Sequence, residues 1–255
     1  MTLMTRARDL WRKGAKVVLA RPTPPDPADQ EAWNDALALW NDLFEPFAPL
    51  VADADVLELG SGDGRMLGIL AASGRARSAM GVERHAYWNG EGGGVAWRPA
   101  QFANLQLHED PRRIEGLDDG VADMILCREL DSLCPLEGLE DALDRLHDLL
   151  RPGGEMIARL RCADFGAGPD GPGYGFMTPT AWIALMLRSG FEIVGQRRIW
   201  RDSAQQDVAT RCLPHASDDE RLTRELHLHL IRPWESWELD GLKEFGDQRR
   251  KGKKR

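Results

Sequence analysis

From Asp55 onwards, short apolar runs alternate with longer stretches in which apolar residues recur every three or four positions. A short apolar run bounded by turn residues predicts a buried strand, and a repeat of three to four residues predicts an amphipathic helix. This alternation predicts an α/β domain with a mostly parallel sheet and helices on both of its faces. The predicted strands span residues 55–59, 78–83, 105–109, 122–127, 155–160, 191–200 and 226–231.

Helices are predicted between several of these strands, at residues 65–72, 136–150 and 179–188, with a shorter one near 97–104. Thr178 is the expected N-cap of the helix at 179–188, because a threonine side chain can accept a hydrogen bond from the first helical turn. Ser73-Gly74 and Ser189-Gly190 should end two of the helices, since glycine readily takes the conformation that closes a helix. Pro152-Gly153-Gly154 is expected to form the turn that ends the helix at 136–150.

The ends of the chain differ from the alternating part. Residues 3–19 can form an amphipathic helix whose arginines and lysines lie mainly off the apolar face, and the proline-rich residues 22–28 form a stiff linker. Trp40 lies on the apolar stripe of the helix predicted to follow. We therefore expect a basic helix and linker at 1–28, the main domain at 29–240, and a basic, disordered tail at 241–255.

Charge is distributed unevenly along the 255 residues. The net charge is −8, but residues 1–21 carry +5 and residues 249–255 carry +6, so the segment between them carries −19. An acidic body argues against a broad nucleic-acid footprint, and no DNA partner is expected. The basic N-terminal helix either packs on the domain with its charges in water or contacts a membrane surface or an acidic partner.

Composition indicates a cytoplasmic protein. No run approaches the ~18 apolar residues that a membrane-spanning helix needs, and the N-terminus lacks the apolar core of a secretory signal. The 4 cysteines are widely spaced, which favours reduced thiols over disulfides or a zinc site. His227 and His229 alternate on a predicted strand without a third ligand at suitable spacing, so no metal is expected.

The sequence Val56-Leu57-Glu58-Leu59-Gly60-Ser61-Gly62-Asp63-Gly64-Arg65 joins the first predicted strand to the first predicted helix. Glycines at 60, 62 and 64 leave this corner without β-carbons, so that a bulky ligand can lie directly on the backbone. Glu58 is near enough to the turn for its carboxylate to face the same ligand. This pattern resembles motif I of the class I S-adenosylmethionine-dependent methyltransferases.

Later segments resemble the same family in the same order. Residues 118–127 are similar to the family's entry into its fourth strand, residues 149–155 to the turn before its fifth, and residues 189–194 to the entry into its sixth. The resemblance covers about residues 50–232 and depends on the combination of motifs; within the family, small-molecule and quinone-type enzymes are the most similar. It implies a Rossmann-like, seven-stranded sheet in the order 3-2-1-4-5-7-6, with the last strand reversed.

The resemblance also implies S-adenosylmethionine as the cofactor, bound at the ends of the first three strands. Glu83 matches the acid that binds both ribose hydroxyls, since one carboxylate can accept two hydrogen bonds. Glu109-Asp110 matches the position that contacts the adenine amino group. The cofactor-binding residues expected on this basis are Glu58, Gly60, Ser61, Gly62, Asp63, Glu83, Arg84, Glu109, Asp110, Cys127 and Arg128.

Residues after the fourth strand are placed beside the reacting methyl group by the same resemblance. Glu129 or Asp131 is a candidate base or acceptor-orienting group, although both alternatively pair with Arg128 or face solvent. A base is needed only if the acceptor must lose a proton. The loop that follows the fifth strand is either a mobile lid or a plain surface connection. The candidate acceptor contacts are Trp40, Tyr174 and Phe176.

A nicotinamide dehydrogenase is the main rival interpretation of the glycine turn. Its fingerprint is G-x-G-x-x-G, whereas the glycines here read G-x-G-x-G. The expected function is therefore methyl transfer from S-adenosylmethionine to a small-molecule, glycan or lipid-precursor acceptor. Two alternatives stay open: a protein that binds the cofactor without catalysis, and a membrane- or RNA-associated methyltransferase guided by the basic ends. The sequence indicates no oligomeric state.

Overall fold

The structure, a computed structural model, describes a sheet and helices that border it. The described residues are 53–62, 64–72, 76–83, 104–108, 111–128, 130, 138–162, 177–201, 207–210 and 223–234, together with 31, 34, 35, 37 and 38. Most of the segments predicted at 1–47, and the whole of the predicted tail at 241–255, lie outside this part of the chain.

The described residues form an eight-stranded sheet in the order β3-β2-β1-β4-β5-β8-β6-β7. The strands are β1 (Ala54–Leu59), β2 (Ala76–Val82), β3 (Leu105–His108), β4 (Ala122–Cys127), β5 (Leu150–Arg161), β6 (Glu192–Arg201), β7 (Asp207–Thr210) and β8 (Thr223–Ile231). The predicted order is confirmed for the seven predicted strands, with β8 in the seventh place. Strands β1 to β5 pair in parallel, and β8 runs antiparallel to both β5 and β6.

Helices cover both faces of the sheet, as predicted. They are α1 (Arg65–Ala72), α2 (Leu139–Leu149) and α3 (Pro179–Arg188). Alternate residues along β1 enter different cores: Leu57 packs in the core that contains α2 and α3, whereas Val56 packs in the core that contains α1. Burial on both faces explains why the central strands read as continuous apolar runs rather than as alternating ones.

One predicted turn is wrong. The strand β5 begins at Leu150 and continues through Pro152-Gly153-Gly154, which we expected to form a turn outside the sheet. Gly153 donates a backbone hydrogen bond to Arg232, and Arg232 donates one to Gly154, so the segment is held beside the end of β8. Its register with β4 shifts here, and Gly153 has a φ of 77°, as expected of a bulge that glycine makes possible.

Two described elements were not predicted from the sequence. The short strand β7 pairs antiparallel with the outer side of β6. A 3₁₀ helix spans Pro111–Gly116, immediately after Glu109-Asp110. No helix among the described residues is both long enough and apolar enough to cross a membrane.

Candidate active site

The glycine turn lies at the carboxyl end of β1, in the middle of the parallel part of the sheet. Gly60, Gly62 and Gly64 have φ values of 71°, 58° and 75°, which residues with a β-carbon rarely adopt. The backbone N–H of Gly64 donates to the carbonyl oxygen of Ser61 at 2.9 Å, which closes the turn just before α1. The glycines therefore provide a tight strand-to-helix connection.

The three glycines and Gly81 serve different purposes. A β-carbon on Gly64 would lie 2.6 Å from Leu107 Cδ1, and one on Gly81 would lie 2.6 Å from Leu107 Cδ2, so these two make room for packing. Among the residues that the structure describes, a β-carbon on Gly62 would meet Arg128 Nη2 alone, at 3.4 Å. The backbone at Gly62 is therefore the more open part of the turn. Leu107, which supports the turn from β3, was not among the predicted site residues.

Glu83 lies directly beside this open backbone. It follows the last residue of β2, and its backbone N–H donates to the carbonyl oxygen of His108 at 2.9 Å. The N–H of Gly62 donates to Glu83 Oε2 at 2.7 Å. Glu83 is 6% exposed. The carboxylate is thus held against the turn by a charge-assisted hydrogen bond.

Arg128 borders the turn on the other side, after the last residue of β4. Its Nε lies 2.8 Å from Glu58 Oε1, and its Nη2 donates to the carbonyl oxygen of Gly60 at 2.8 Å. Glu58 is 0% exposed, whereas the Arg128 side chain is 19% exposed. The sequence suggested Glu129 or Asp131 as alternative partners of Arg128, and it did not predict this contact between two strands.

The other described candidates are more deeply placed. Ser61 is fully buried, and a β-carbon on Gly81 would lie 2.8 Å from its hydroxyl oxygen. Cys127 is buried in the core that contains α2 and α3. The remaining candidates lie outside the described residues: Asp63, Arg84, Glu109, Asp110, Glu129, Asp131, Trp40, Tyr174 and Phe176.

Charged residues at the opposite edge of the sheet form a separate network. Asp55 accepts from Arg77 and from Arg151, each at 2.8 Å. Burial alone would raise the pKa of Asp55, but hydrogen bonds from Ser78 and Arg151 outweigh it and lower the pKa. Because this network lies at the amino ends of the strands, it ties β1 to its neighbours without reaching the glycine turn.

The two strand histidines have carboxylate partners. His227 Nε2 lies 3.2 Å from Glu225 Oε2, and His229 contacts Glu155. Among the residues that the structure describes, no group of three or more His, Cys, Asp or Glu side chains is placed to hold a metal ion. His229 therefore links β8 to β5, whereas the contact of His227 with Glu225 lies within β8.

The arrangement around Gly62 fits the nucleoside of S-adenosylmethionine. It offers backbone that a β-carbon would obstruct, and a carboxylate that can accept hydrogen bonds from a ribose diol. The ends of β2, β1 and β4 lie side by side at the carboxyl edge of the sheet, which is where open α/β sheets bind their ligands.

Comparison with known proteins gives the family. A family model described as a methyltransferase domain matches residues 31–196. Among curated proteins, none matches the chain. The match of the family model covers more than half of the chain and includes the glycine turn, Glu83 and Arg128.

Solved structures share the fold. A putative S-adenosylmethionine-dependent methyltransferase from Listeria monocytogenes is 17% identical, with a TM-score of 0.52 over 78% of this chain and 98% of that one. The 1,6-didemethyltoxoflavin-N1-methyltransferase from Burkholderia thailandensis, solved with S-adenosylhomocysteine, is 17% identical, with a TM-score of 0.50 over 91% of each chain. An S-adenosylmethionine-dependent methyltransferase from Mesorhizobium loti is 15% identical, with a TM-score of 0.50 over 78% of this chain and 99% of that one.

At these identities the likeness establishes the fold, and the family model establishes the relationship. The chain belongs to the methyltransferase domain family and is a class I S-adenosylmethionine-dependent methyltransferase.

Proposed function

We propose that S-adenosylmethionine binds over Gly62 with its ribose on Glu83, and that its methyl group passes to a small-molecule, glycan or lipid-precursor acceptor. The observation that carries this proposal is the 2.7 Å hydrogen bond from the Gly62 N–H to Glu83 Oε2. It brings the open backbone and the carboxylate to one point, although the two residues come from different strand ends.

The cofactor-binding role of each residue follows from its position. Gly60 and Gly62 leave space for the nucleoside, and Glu83 accepts hydrogen bonds from the ribose hydroxyls. Ser61, Asp63, Arg84 and Cys127 complete the proposed set of cofactor-binding residues. Glu109-Asp110 follows β3, the strand next to β2, and contacts the adenine amino group in this proposal.

When bound, S-adenosylmethionine supplies a methyl group already activated on a sulfonium. The protein's contribution is then mainly to hold the acceptor in line with that group and to keep water out. Glu129 and Asp131 follow β4 on either side of Leu130, which is fully buried. We assign these two carboxylates to orienting the acceptor or to removing its proton where the reaction requires it.

A small-molecule acceptor is favoured within this proposal. The Burkholderia thailandensis protein, which aligns over 91% of this chain, is named for methylation of 1,6-didemethyltoxoflavin, a small heterocycle. Trp40, Tyr174 and Phe176 are the aromatic side chains proposed to contact the acceptor, because aromatic faces bury much apolar area. The methyltransferase domain is proposed to span residues 29–240, with the basic segments 1–28 and 241–255 available for an anionic membrane surface or an acidic partner.

Calorimetric titration with S-adenosylmethionine tests the cofactor site. Wild-type protein should bind, and Glu83→Gln should weaken binding roughly tenfold or more, because the neutral amide accepts ribose hydrogen bonds less strongly than a carboxylate. Glu155→Gln, which changes an acid on β5 away from the turn, is the matched control and should bind as wild type does. Unchanged affinity in Glu83→Gln would contradict the proposed site.

Incubation with labelled S-adenosylmethionine and fractionated extracts tests the acceptor class. Label is expected in a small-molecule fraction, with glycan and lipid fractions as the other outcomes of the proposal. Label confined to protein or RNA would contradict it.

A further inference from the structure

We infer that Arg128 receives the carboxylate of the cofactor's methionine part, and that Glu58 is a positioning residue that holds Arg128 in place rather than a ligand itself. This inference rests on the proposed function, because it assigns the other end of the same cofactor. It differs from the expectation drawn from the sequence, in which Glu58 faces the ligand directly.

The sheet topology places Arg128 and Glu83 on opposite sides of the glycine turn. Leu59 is in register with Val82 of β2 on one side and with Cys127 of β4 on the other. Glu83 and Arg128 are the next residues along those two strands. Since neighbouring strands lie about 4.8 Å apart, the ends of β2 and β4 are separated by about 10 Å, with the turn between them.

Arg128 keeps hydrogen-bonding capacity after its contacts within the protein. A guanidinium carries five N–H groups. Within the described part of the chain, Nε is ion-paired with Glu58, and Nη2 donates to the Gly60 carbonyl oxygen. The remaining N–H groups, on Nη1 and Nη2, are suited to a carboxylate, which a guanidinium binds through two parallel hydrogen bonds.

The remaining donors lie beside the open backbone. Arg128 Nη2 is 3.4 Å from the point where a β-carbon on Gly62 would lie, while the N–H of Gly62 is directed to Glu83. A ligand that lies on Gly62 therefore has an acceptor at one end and donors at the other. S-adenosylmethionine matches this polarity, because its ribose hydroxyls donate and its carboxylate, at the far end of the methionine part, accepts.

Glu58 is placed to orient Arg128 and not to touch the ligand. Its side chain is 0% exposed, and a buried carboxylate needs a compensating cation to offset its loss of hydration. The Arg128 guanidinium lies 2.8 Å from Glu58 and provides such compensation, so moving it away would leave the buried carboxylate less well compensated. Arg128 is thereby fixed before the cofactor arrives, which reduces the entropy lost on binding.

The test compares two ligands that differ in one group. S-adenosylhomocysteine carries the carboxylate, and decarboxylated S-adenosylhomocysteine keeps the nucleoside, thioether and amine but lacks it. Calorimetry on wild-type protein should give a preference for the first ligand. In Arg128→Lys, affinity for S-adenosylhomocysteine should fall roughly tenfold, while affinity for the decarboxylated ligand should change by less than about twofold.

A double variant protects the test against misfolding. Because removing Arg128 alone would take away the cation that lies 2.8 Å from the buried Glu58 carboxylate, Glu58→Gln combined with Arg128→Gln replaces the ion pair by two amides. In this variant, the ratio of the affinities for S-adenosylhomocysteine and for its decarboxylated form should fall roughly 10- to 100-fold. Its thermal unfolding should remain cooperative. Arg145→Lys is the control, since Arg145 is 21% exposed and pairs with Asp119 away from the turn; its ligand preference should equal that of wild type.

Glu58→Gln alone tests the positioning role. Its preference for the carboxylate should lie between those of wild type and of Arg128→Lys, because the guanidinium remains but is less firmly oriented. A preference equal to that of wild type would overturn the role of Glu58.

Three further outcomes separate the hypotheses. Equal losses for both ligands in the Arg128 variants would overturn the inference, because Arg128 would then only support the turn. Tighter binding in those variants would also overturn it, since Arg128 would then obstruct the ligand. Failure of folded wild-type protein to bind either ligand would contradict the proposed function itself.

Discussion

Gly62 and Gly64 show how neighbouring glycines in one motif can meet different requirements. Both have a positive φ, but a β-carbon on Gly64 would collide with Leu107, whereas one on Gly62 would lie at ordinary contact distance from Arg128. The glycine at 64 therefore serves the packing of α1 against β3. The glycine at 62 keeps backbone open beside Glu83 and thus serves the proposed ligand.

Alanine at these two positions should separate stability from binding. We expect Gly62→Ala to cost about 1 kcal/mol in the free energy of unfolding, because of its positive φ, and to weaken S-adenosylhomocysteine binding more than tenfold. Gly64→Ala should destabilise further, by about 2–4 kcal/mol, because the clash with Leu107 adds to the φ penalty. Urea denaturation and calorimetry measure both quantities. Wild-type affinity in folded Gly62→Ala would contradict the placement of the ligand on that backbone.

At the scale of single elements, local patterns predicted the structure best where local forces determine it. The helix α3 was predicted with its observed bounds because Thr178 accepts from the Ala181 N–H at 3.1 Å and Pro179 follows it. The Pro152-Gly153-Gly154 segment was misread because its partner, Arg232, lies far away in the sequence. The strand β7 was missed because its sequence, Asp-Val-Ala-Thr, is too short and polar to give a strand pattern.

The ion pair between strands β5 and β8 should make stability depend on pH. Arg159 on β5 and His227 on β8 both contact Glu225, with Arg159 Nε 3.0 Å and His227 Nε2 3.2 Å from Glu225 Oε2. Burial alone would raise the pKa of Glu225, but these hydrogen bonds and charges outweigh it and lower the pKa from 4.5 to about 2. The ionised form of Glu225 is therefore the form that holds β5 to β8.

The free energy of unfolding should depend on pH through Glu225. Since Glu225 binds a proton more weakly in the folded state, its stabilisation is complete above pH 4.5 and is lost as the pH falls from 4.5 to about 2. Glu225→Gln should lower stability at pH 7 by about 1–3 kcal/mol and reduce the loss on acidification. Urea denaturation at several pH values measures this. If the free energy of unfolding of the variant falls equally steeply with acidification, other carboxylates determine the acid sensitivity of the protein, which would contradict this prediction.

At the scale of the whole molecule, the site depends on strand order. The glycine turn and Glu83 were predictable because each lies next to an apolar strand, and parallel strands bring their carboxyl ends to one edge. The pair of Glu58 and Arg128 was not predicted, because it requires knowing that β4 lies next to β1 although 68 residues separate Gly60 from Arg128. The inferred strand order places β4 beside β1, so the opposite charges at the ends of these two strands could have indicated the pair.

The central claim is that a nucleoside lies on the Gly62 backbone with its ribose on Glu83. A crystal structure of the protein with S-adenosylhomocysteine tests this most directly. The expected result is both ribose hydroxyls within hydrogen-bonding distance of the Glu83 carboxylate and the thioether passing over Gly62 towards Arg128. Density for the nucleoside at another edge of the sheet, or a Glu83 side chain turned away from the ribose, would contradict the claim.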